Sequence, residues 1–391
     1  MQALVKGDLK TAEGLLSAGL NPDLRDRFGR TLLTNVATFG DSNIASLLLS
    51  YHADPNAPTK RKSNGEQSPA TPLQCAARTG NLQMAGLLID AGAEVNATGE
   101  TGRTPLSFAV LFSHLDMLRL LIEKGADVNA RDAEGASPLD YAAWRGSLDM
   151  AAMLLAHGAP LNSPATQTGA TPINEAAYRG HTALIQYLLQ FHPNLGIPDK
   201  KGFKPLENAI RMGKEDSALL LLEPEAKPSD TVVEIAIKRD ESRLVRELLR
   251  HKGVGATLGS GFTPLDLAAS NGSVNVARVL LQSGADANAV SRNGSTPLED
   301  ASLKGFEAIV TLLVDHGAQV NQVNSDSGTT ALYAAAAFGR EGILRLLLER
   351  GADPSICGRN GKTALQAAVE NGFSGAAGLL RERGGHRGCS Q

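Results

Sequence analysis

The sequence predicts an all-α repeat solenoid, and three observations predict it. The first is a period. Helix-capping residues recur at Thr31, Thr71, Thr104, Ser137, Thr171, Thr231, Thr263, Thr296, Thr330 and Thr363, with Lys204 in the same place once. Seven of the ten steps between them are 33 or 34 residues, which marks stacked units rather than one large core. The second is the Thr-Pro-Leu that opens units at 71–73, 104–106, 263–265 and 296–298. Thr serves as N-cap there, and Pro at the first helical position loses only an N–H that would be unpaired anyway. The third is the close of each unit, as in GAEVN at 92–96, GADAN at 284–288 and GAQVN at 317–321.

Residues 102–130 show the internal logic of one unit. Leu106, Ala109 and Val110 fall on one helical face, and Leu118, Leu121 and Ile122 form a second apolar set. Gly125 ends that second helix as a left-handed cap, and 126–130 read as an extended arm leading to a turn.

Taken in order, residues 1–30 form an incomplete first unit. Ala3 to Val5 close its first helix, the second opens at 7–9, and 19–23 close the unit. A chain that opens inside a unit is expected either to be part of a longer protein or to carry a minimal cap. The arm between 56 and 71 is longer by seven residues and polar, so 57–70 is expected to be a loop tip. Its Lys60-Arg61-Lys62 reads as a solvated loop first and as a targeting or docking peptide second. The unit anchored at Lys204 ends at 219–222 and is followed by EPEAKP at 223–228 without a closing arm, hence a step of 27. The next unit keeps helical spacing at Val233, Ile235, Ala236, Leu244, Val245, Leu248 and Leu249, but has Asp240-Glu241 where Gly stands elsewhere. The expected organisation is a first subarray at 1–222, a degenerate unit and bend at 223–262, a second subarray at 263–385 and a disordered tail at 386–391.

Composition narrows the function classes. The chain has 391 residues, 42% hydrophobic and 20% charged, with net charge −3 and pI near 6.3. That balance gives no global basic field for nucleic acid or acidic lipid. The longest apolar runs, such as 332–338, are too short to span a bilayer, so a soluble, non-inserted chain is expected. Three cysteines, Cys75, Cys357 and Cys389, are odd in number and widely spaced, which predicts neither a disulfide framework nor a zinc quartet. A reducing, cytoplasmic setting and a monomer are the expectation.

The period, the Thr-Pro-Leu openings and the Gly-Ala-Asp-x-Asn closings together resemble the ankyrin repeat, over residue 3 to about 385 and about twelve units. The resemblance implies two antiparallel helices per repeat, helix-turn-helix units stacked side by side, and β-hairpin arms at right angles to them. One departure is systematic. The family often has His directly after Thr-Pro-Leu, and here that place holds Gln74, Ser107, Asp140, Asn174, Glu207, Asp266, Glu299, Tyr333 and Gln366. The family's His-mediated contacts therefore do not carry over.

No chemistry-bearing constellation survives inspection. The eight histidines spread around the repeat frame: His52, His157, His251 and His316 in the last turn of second helices, His114 and His181 at the start of second helices, His192 in a helix-end slot and His386 in the tail. Cationic or donor side chains suit helix C-termini, so these read as structural. Gly361-Lys362-Thr363 resembles the end of a phosphate loop, but Ile356 stands where the motif needs Gly. The glycines at 253, 255 and 259 lack dinucleotide-loop spacing and its strand–helix–strand setting. No HExxH, GxSxG or CxxC occurs, so no enzyme, metal or cofactor is expected.

In the ankyrin layout the two residues before the inter-helix Gly face the concave side. Across the central repeats these are Leu111, Phe112, Trp144, Arg145, Tyr178, Arg179, Arg211 and Met212. Trp, Tyr and Arg dominate interface energies, and this run holds the chain's single Trp. At about 10 Å per repeat they would form a strip roughly 40 Å long, apolar and basic. It suits an acidic or aromatic-bearing protein segment. The competing reading is that Trp144 and Tyr178 only cover the seam between first helices, and that the arginines are plainly solvated. The expected function is a scaffold or adaptor that binds a protein partner through this surface. The alternative is a regulatory or targeting region of a larger enzyme, channel or receptor.

Overall fold

The computed structural model describes residues 8–39, 41–59, 70–99, 101–222, 229–250 and 252–385. These contain 23 α-helices, no sheet, and one isolated bridge between Arg25 and Thr31. The helices form eleven antiparallel pairs preceded by Leu9–Ser17, the second helix of the incomplete first repeat. The remnant at 3–5, the basic cluster at 60–62, the EPEAKP link, His251 and the tail at 386–391 lie outside the described residues.

Helix starts follow the sequence grammar. The Thr104 hydroxyl accepts from the Ser107 N–H at 3.2 Å, and Thr171 does the same for Asn174 at 3.4 Å. Thr71 forms a full capping box with Gln74. The buried faces are those of the apolar spacing: Leu106, Ala109 and Val110 are fully buried, as are Leu118 and Leu121 on the partner helix. Each such leucine contributes about 2–3 kcal/mol relative to exposure.

The arms are tight hairpin turns too short to pair as strands. In one, the Asp132 N–H donates to the Ala136 carbonyl at 3.0 Å and Gly135 N–H to Asp132 at 2.9 Å. Within the turn the Asp132 Oδ1 accepts from Glu134 and Ala136 N–H at 2.9 and 2.8 Å, and further bonds run to neighbouring arms. The closing Asn explains its recurrence: the Asn96 side chain accepts from Asp127 N–H at 2.8 Å and donates to the Gly125 carbonyl at 3.3 Å, stapling one repeat to the next. Asn288 and Asn321 repeat the arrangement.

The chain divides into two compact units, Met1–Leu221 and Leu222–Gln391. The irregular repeat belongs to the second. Its first helix is Asp230–Lys238, capped by Ser229 rather than Thr231. From Ser229 to Thr263 is 34 residues, so the period resumes there and the irregularity is confined to the preceding step. Asp240 replaces the inter-helix Gly in the left-handed region, at φ 59°. Its carboxylate accepts from Val276 N–H at 2.8 Å and from the Asn275 side chain at 2.8 Å, capping the second helix of the next repeat. The substitution that looks degenerate in sequence is thus an inter-repeat cap.

Two sequence expectations are corrected. Cys75 is a buried free thiol, but Cys357 is disulfide-bonded, which the odd count and wide spacing gave no sign of. His52 lies past its helix end with φ 63°, and His192 has φ 52°. Non-glycine residues there cost roughly 1–2 kcal/mol. His52→Gly and His192→Gly are each expected to raise stability by about 1 kcal/mol, read as a higher midpoint in urea unfolding. His157 and His316 do serve their helix ends, each ring Nδ1 lying 2.8 Å from the carbonyl four residues back.

Candidate functional site

Within the first unit, the first helices Pro105–Leu111, Pro138–Arg145 and Pro172–Arg179 pack in succession and carry the expected strip at their C-terminal ends. The arms of the same repeats stand beside them and are laddered through backbone bonds. Ala133 N–H donates to Thr101 at 2.8 Å, Gln167 N–H to Glu134 at 2.9 Å, and Lys200 N–H to Thr168 at 2.8 Å. Helices as floor and arms as wall enclose a groove of about 620 Å³.

The groove takes in four of the eight expected residues: Leu111, Trp144, Tyr178 and Arg179. Trp144 and Tyr178 are 39% and 40% exposed, so the rings are open rather than folded into the helix seam. Phe112, Arg145, Arg211 and Met212 are exposed at the same helix ends but outside the groove lining.

The arginines are not simply solvated. The Arg179 guanidinium lies 4.6 Å from the Trp144 ring centre and pairs with Glu175 at 2.7 Å. Arg145 lies 5.6 Å from the same ring and reaches Ser113 Oγ at 3.3 Å. Arg211 lies 4.0 Å over Phe203. Each guanidinium orders an aromatic neighbour. The expected basic strip is therefore a guanidinium–aromatic strip, and acidic residues Glu134, Glu175 and Asp199 line the groove as well.

Two further groups set the groove's shape, and sequence reasoning missed both roles. Tyr141 donates to Asp132 in the arm turn and accepts from Arg103 Nε at 2.7 Å. Burial first, then the bond to Asp132, pushes its hydroxyl well above the ordinary tyrosine range. The arm is thus pinned to the floor. His181 opens the second helix of the following repeat, and its Nε2 lies 3.2 Å from the Trp144 carbonyl. His114 holds the Arg78 carbonyl in the same way at 3.0 Å. Both serve helix C-terminal carbonyls that would otherwise go unpaired. The recurrence of His at this position was visible in the sequence; its partner one repeat back was not.

Among the described residues no group of three His, Cys, Asp or Glu could hold a metal ion, and no helix is long and apolar enough to cross a membrane.

A family model described as "Ankyrin repeats (3 copies)" matches residues 1–99, 97–165, 161–232, 233–324 and 319–388, nearly the whole chain. Similar curated proteins include Ankyrin repeat and KH domain-containing protein mask-1 of Caenorhabditis elegans, 29% identical over 125 residues, or 30% of this chain and 5% of that protein. Cyclin-dependent kinase inhibitor 2A of Monodelphis domestica is 34% identical over 105 residues, 26% of this chain and 56% of its own length. Cyclin-dependent kinase 4 inhibitor B of Mus musculus is 35% identical over 104 residues, 26% of this chain and 72% of its own. The chain thus spans less than two thirds of the first two of these relatives.

Proposed function

This chain belongs to the ankyrin-repeat family, and on that premise we propose that it is a non-enzymatic scaffold or adaptor that binds a protein partner in the groove of its first unit. One observation carries the reading: Trp144 and Tyr178 are held open, at 39% and 40% exposure, on the first helices of consecutive repeats, lining one groove. Half-exposed aromatic rings in a concave, ordered setting are the residues on which interface energy concentrates. The partner would offer an acidic or aromatic-bearing segment, and the chain would act as a monomer. Two relatives are, by their names, inhibitors of cyclin-dependent kinases, proteins that act on proteins. The non-enzymatic part is supported by how the reactive groups are held: Tyr141 is locked to Asp132, and burial raises the Cys75 thiol. A cytoplasmic setting goes with it, supported by the free thiol of Cys75 and opposed by the disulfide at Cys357.

A second reading, a regulatory or targeting region of a larger protein, is favoured by the 5% share of mask-1 that the match covers. The full reading frame would decide between them.

Replacing Trp144 and Tyr178 together by alanine is expected to weaken capture of the partner from native cells roughly 100-fold. The melting temperature should move by only a few degrees, since both rings are half-exposed at helix ends and neither belongs to the buried core. A matching loss of folded protein would remove the interface reading.

A further inference from the structure

We infer that the groove is electrically polar along its length. Its occupant is an extended protein segment of about seven residues, with an aromatic or aliphatic centre, a basic side chain at one end and an acidic one at the other. The inference rests on the reading of this groove as the partner site.

The charged lining residues divide evenly, four of each sign, but most are already committed. Arg179 is paired with Glu175. Arg103 binds the Tyr141 oxygen and lies 3.5 Å from Asp132. Asp199 accepts from the N–H groups of Lys201 and Phe203, at 2.9 and 3.0 Å, and from the Asn208 side chain at 3.1 Å. Asp140 is buried in its capping box. Three charges remain with no ion pair among the described residues: Glu134, and the adjacent Lys200 and Lys201, all exposed.

These three are segregated. Glu134 belongs to the arm before the Ser137 helix, and Lys200 and Lys201 to the arm before the Pro205–Arg211 helix. The arm between them contributes Gln167 and Thr168, which carry no charge. Backbone bonds fix the order, Glu134 to Gln167 and Thr168 to Lys200. Two repeat steps of about 10 Å separate the ends. Six or seven extended residues, at about 3.3 Å each, cover that span. Trp144 and Tyr178 lie on the floor between, where only an uncharged side chain avoids a desolvation cost. A uniformly acidic segment would meet Glu134, and a uniformly basic one would meet the lysines.

The test uses the full chain and three labelled peptides of seven residues that share a central Trp: one with Arg and Glu at opposite ends, one with Glu at both, one with Arg at both. Fluorescence anisotropy at low salt reads the affinities. The mixed-charge peptide should bind roughly three- to tenfold tighter than either uniform one. Glu134→Lys should transfer the preference to the doubly acidic peptide. Lys200→Glu with Lys201→Glu should transfer it to the doubly basic one. These tips are exposed, so folding is preserved, and a melting curve for each variant checks that. If all three peptides bind alike, the charge variants change nothing, and Trp144→Ala abolishes binding, the polarity is wrong while the groove stands. If binding is indifferent to Trp144→Ala, or absent for every peptide, the groove reading itself fails and the polarity with it.

Discussion

Gly146→Ala is expected to destabilise the first unit by about 3 kcal/mol and to unseat Trp144. Two costs combine. Gly146 has φ 71°, a left-handed conformation that costs an L-residue roughly 1–2 kcal/mol. An added Cβ there would also overlap the His181 ring. The ring cannot swing aside without giving up its contact with the Trp144 carbonyl, 3.2 Å away. The two costs separate in a double-mutant cycle. Gly146→Ala combined with His181→Ala removes the overlap and should retain only the backbone cost, so a coupling of about 1–2 kcal/mol is expected in urea unfolding. No coupling would mean that the ring relaxes freely and does not hold the helix end. Affinity for a groove ligand should fall with the single variant, because Trp144 lies two residues before the displaced cap.

That result bears on how much of the molecule its sequence discloses. The period, the helix caps and the apolar faces were legible because each depends on residues within one turn or one repeat. Thr104 caps Ser107 three residues on, and Leu118 and Leu121 bury a face set by helical spacing. The open rings of Trp144 and Tyr178 were legible for the same reason, since their place in the repeat frame decides which way they face. What could not be read depends on contacts one repeat away. His181 is paired with a carbonyl 37 residues earlier, and Asp240 caps a helix 35 and 36 residues later. The aromatic partners of the arginines could not be read because Trp144 lies across a repeat seam from Arg179 and Phe203 lies in the arm before Arg211; only the Glu175 partner of Arg179 is local, four residues back on the same helix. Of the groove's wall, the adjacent Lys200 and Lys201 read from sequence as an arm-tip contact candidate second to plain solubility, whereas Glu134 was missed, because a single charge in an arm carries no local signal. Ser229 displaced Thr231 as a cap because both hydroxyls suit the role and only the position of Val232 decides between them.

Asp140→Asn and Asp266→Asn are expected to stabilise the protein at neutral pH and to leave it nearly unchanged near pH 4. Both residues occupy the slot after Pro-Leu where other repeats carry an amide. Gln74 there accepts from Thr71 N–H at 2.9 Å and donates to the Ala97 and Arg103 carbonyls at 3.0 and 2.7 Å. Asn174 likewise donates to Ile197 and Phe203, at 3.2 and 3.4 Å. The amide thus joins its own helix start to the arm of the next repeat. An ionised carboxylate can do the first and not the second. Asp140 Oδ2 accepts from Ser137 N–H at 2.8 Å and Asp266 Oδ2 from Thr263 N–H at 3.0 Å, while Oδ1 of each is buried with no hydrogen-bond partner among the described residues. Burial pushes both carboxyls up to about 6. Glu299 escapes part of this penalty because its next arm offers donors, Thr329 at 2.7 Å and Asn324 at 2.8 Å. A carboxyl whose pKa is raised by folding costs nothing while protonated in both states, below about pH 4. The cost grows as pH rises from there through 6, where the folded state must give up a proton it holds tightly. The shift from 3.8 to about 6 sets an upper bound of about 3 kcal/mol per site. The difference between variant and parent should therefore widen between pH 4 and 6 and level off above 7, measured as urea midpoints across that range. An asparagine variant whose advantage does not change with pH would show that the carboxyl is not the source, and one less stable than the parent at pH 7.5 would show that Oδ1 already finds a donor.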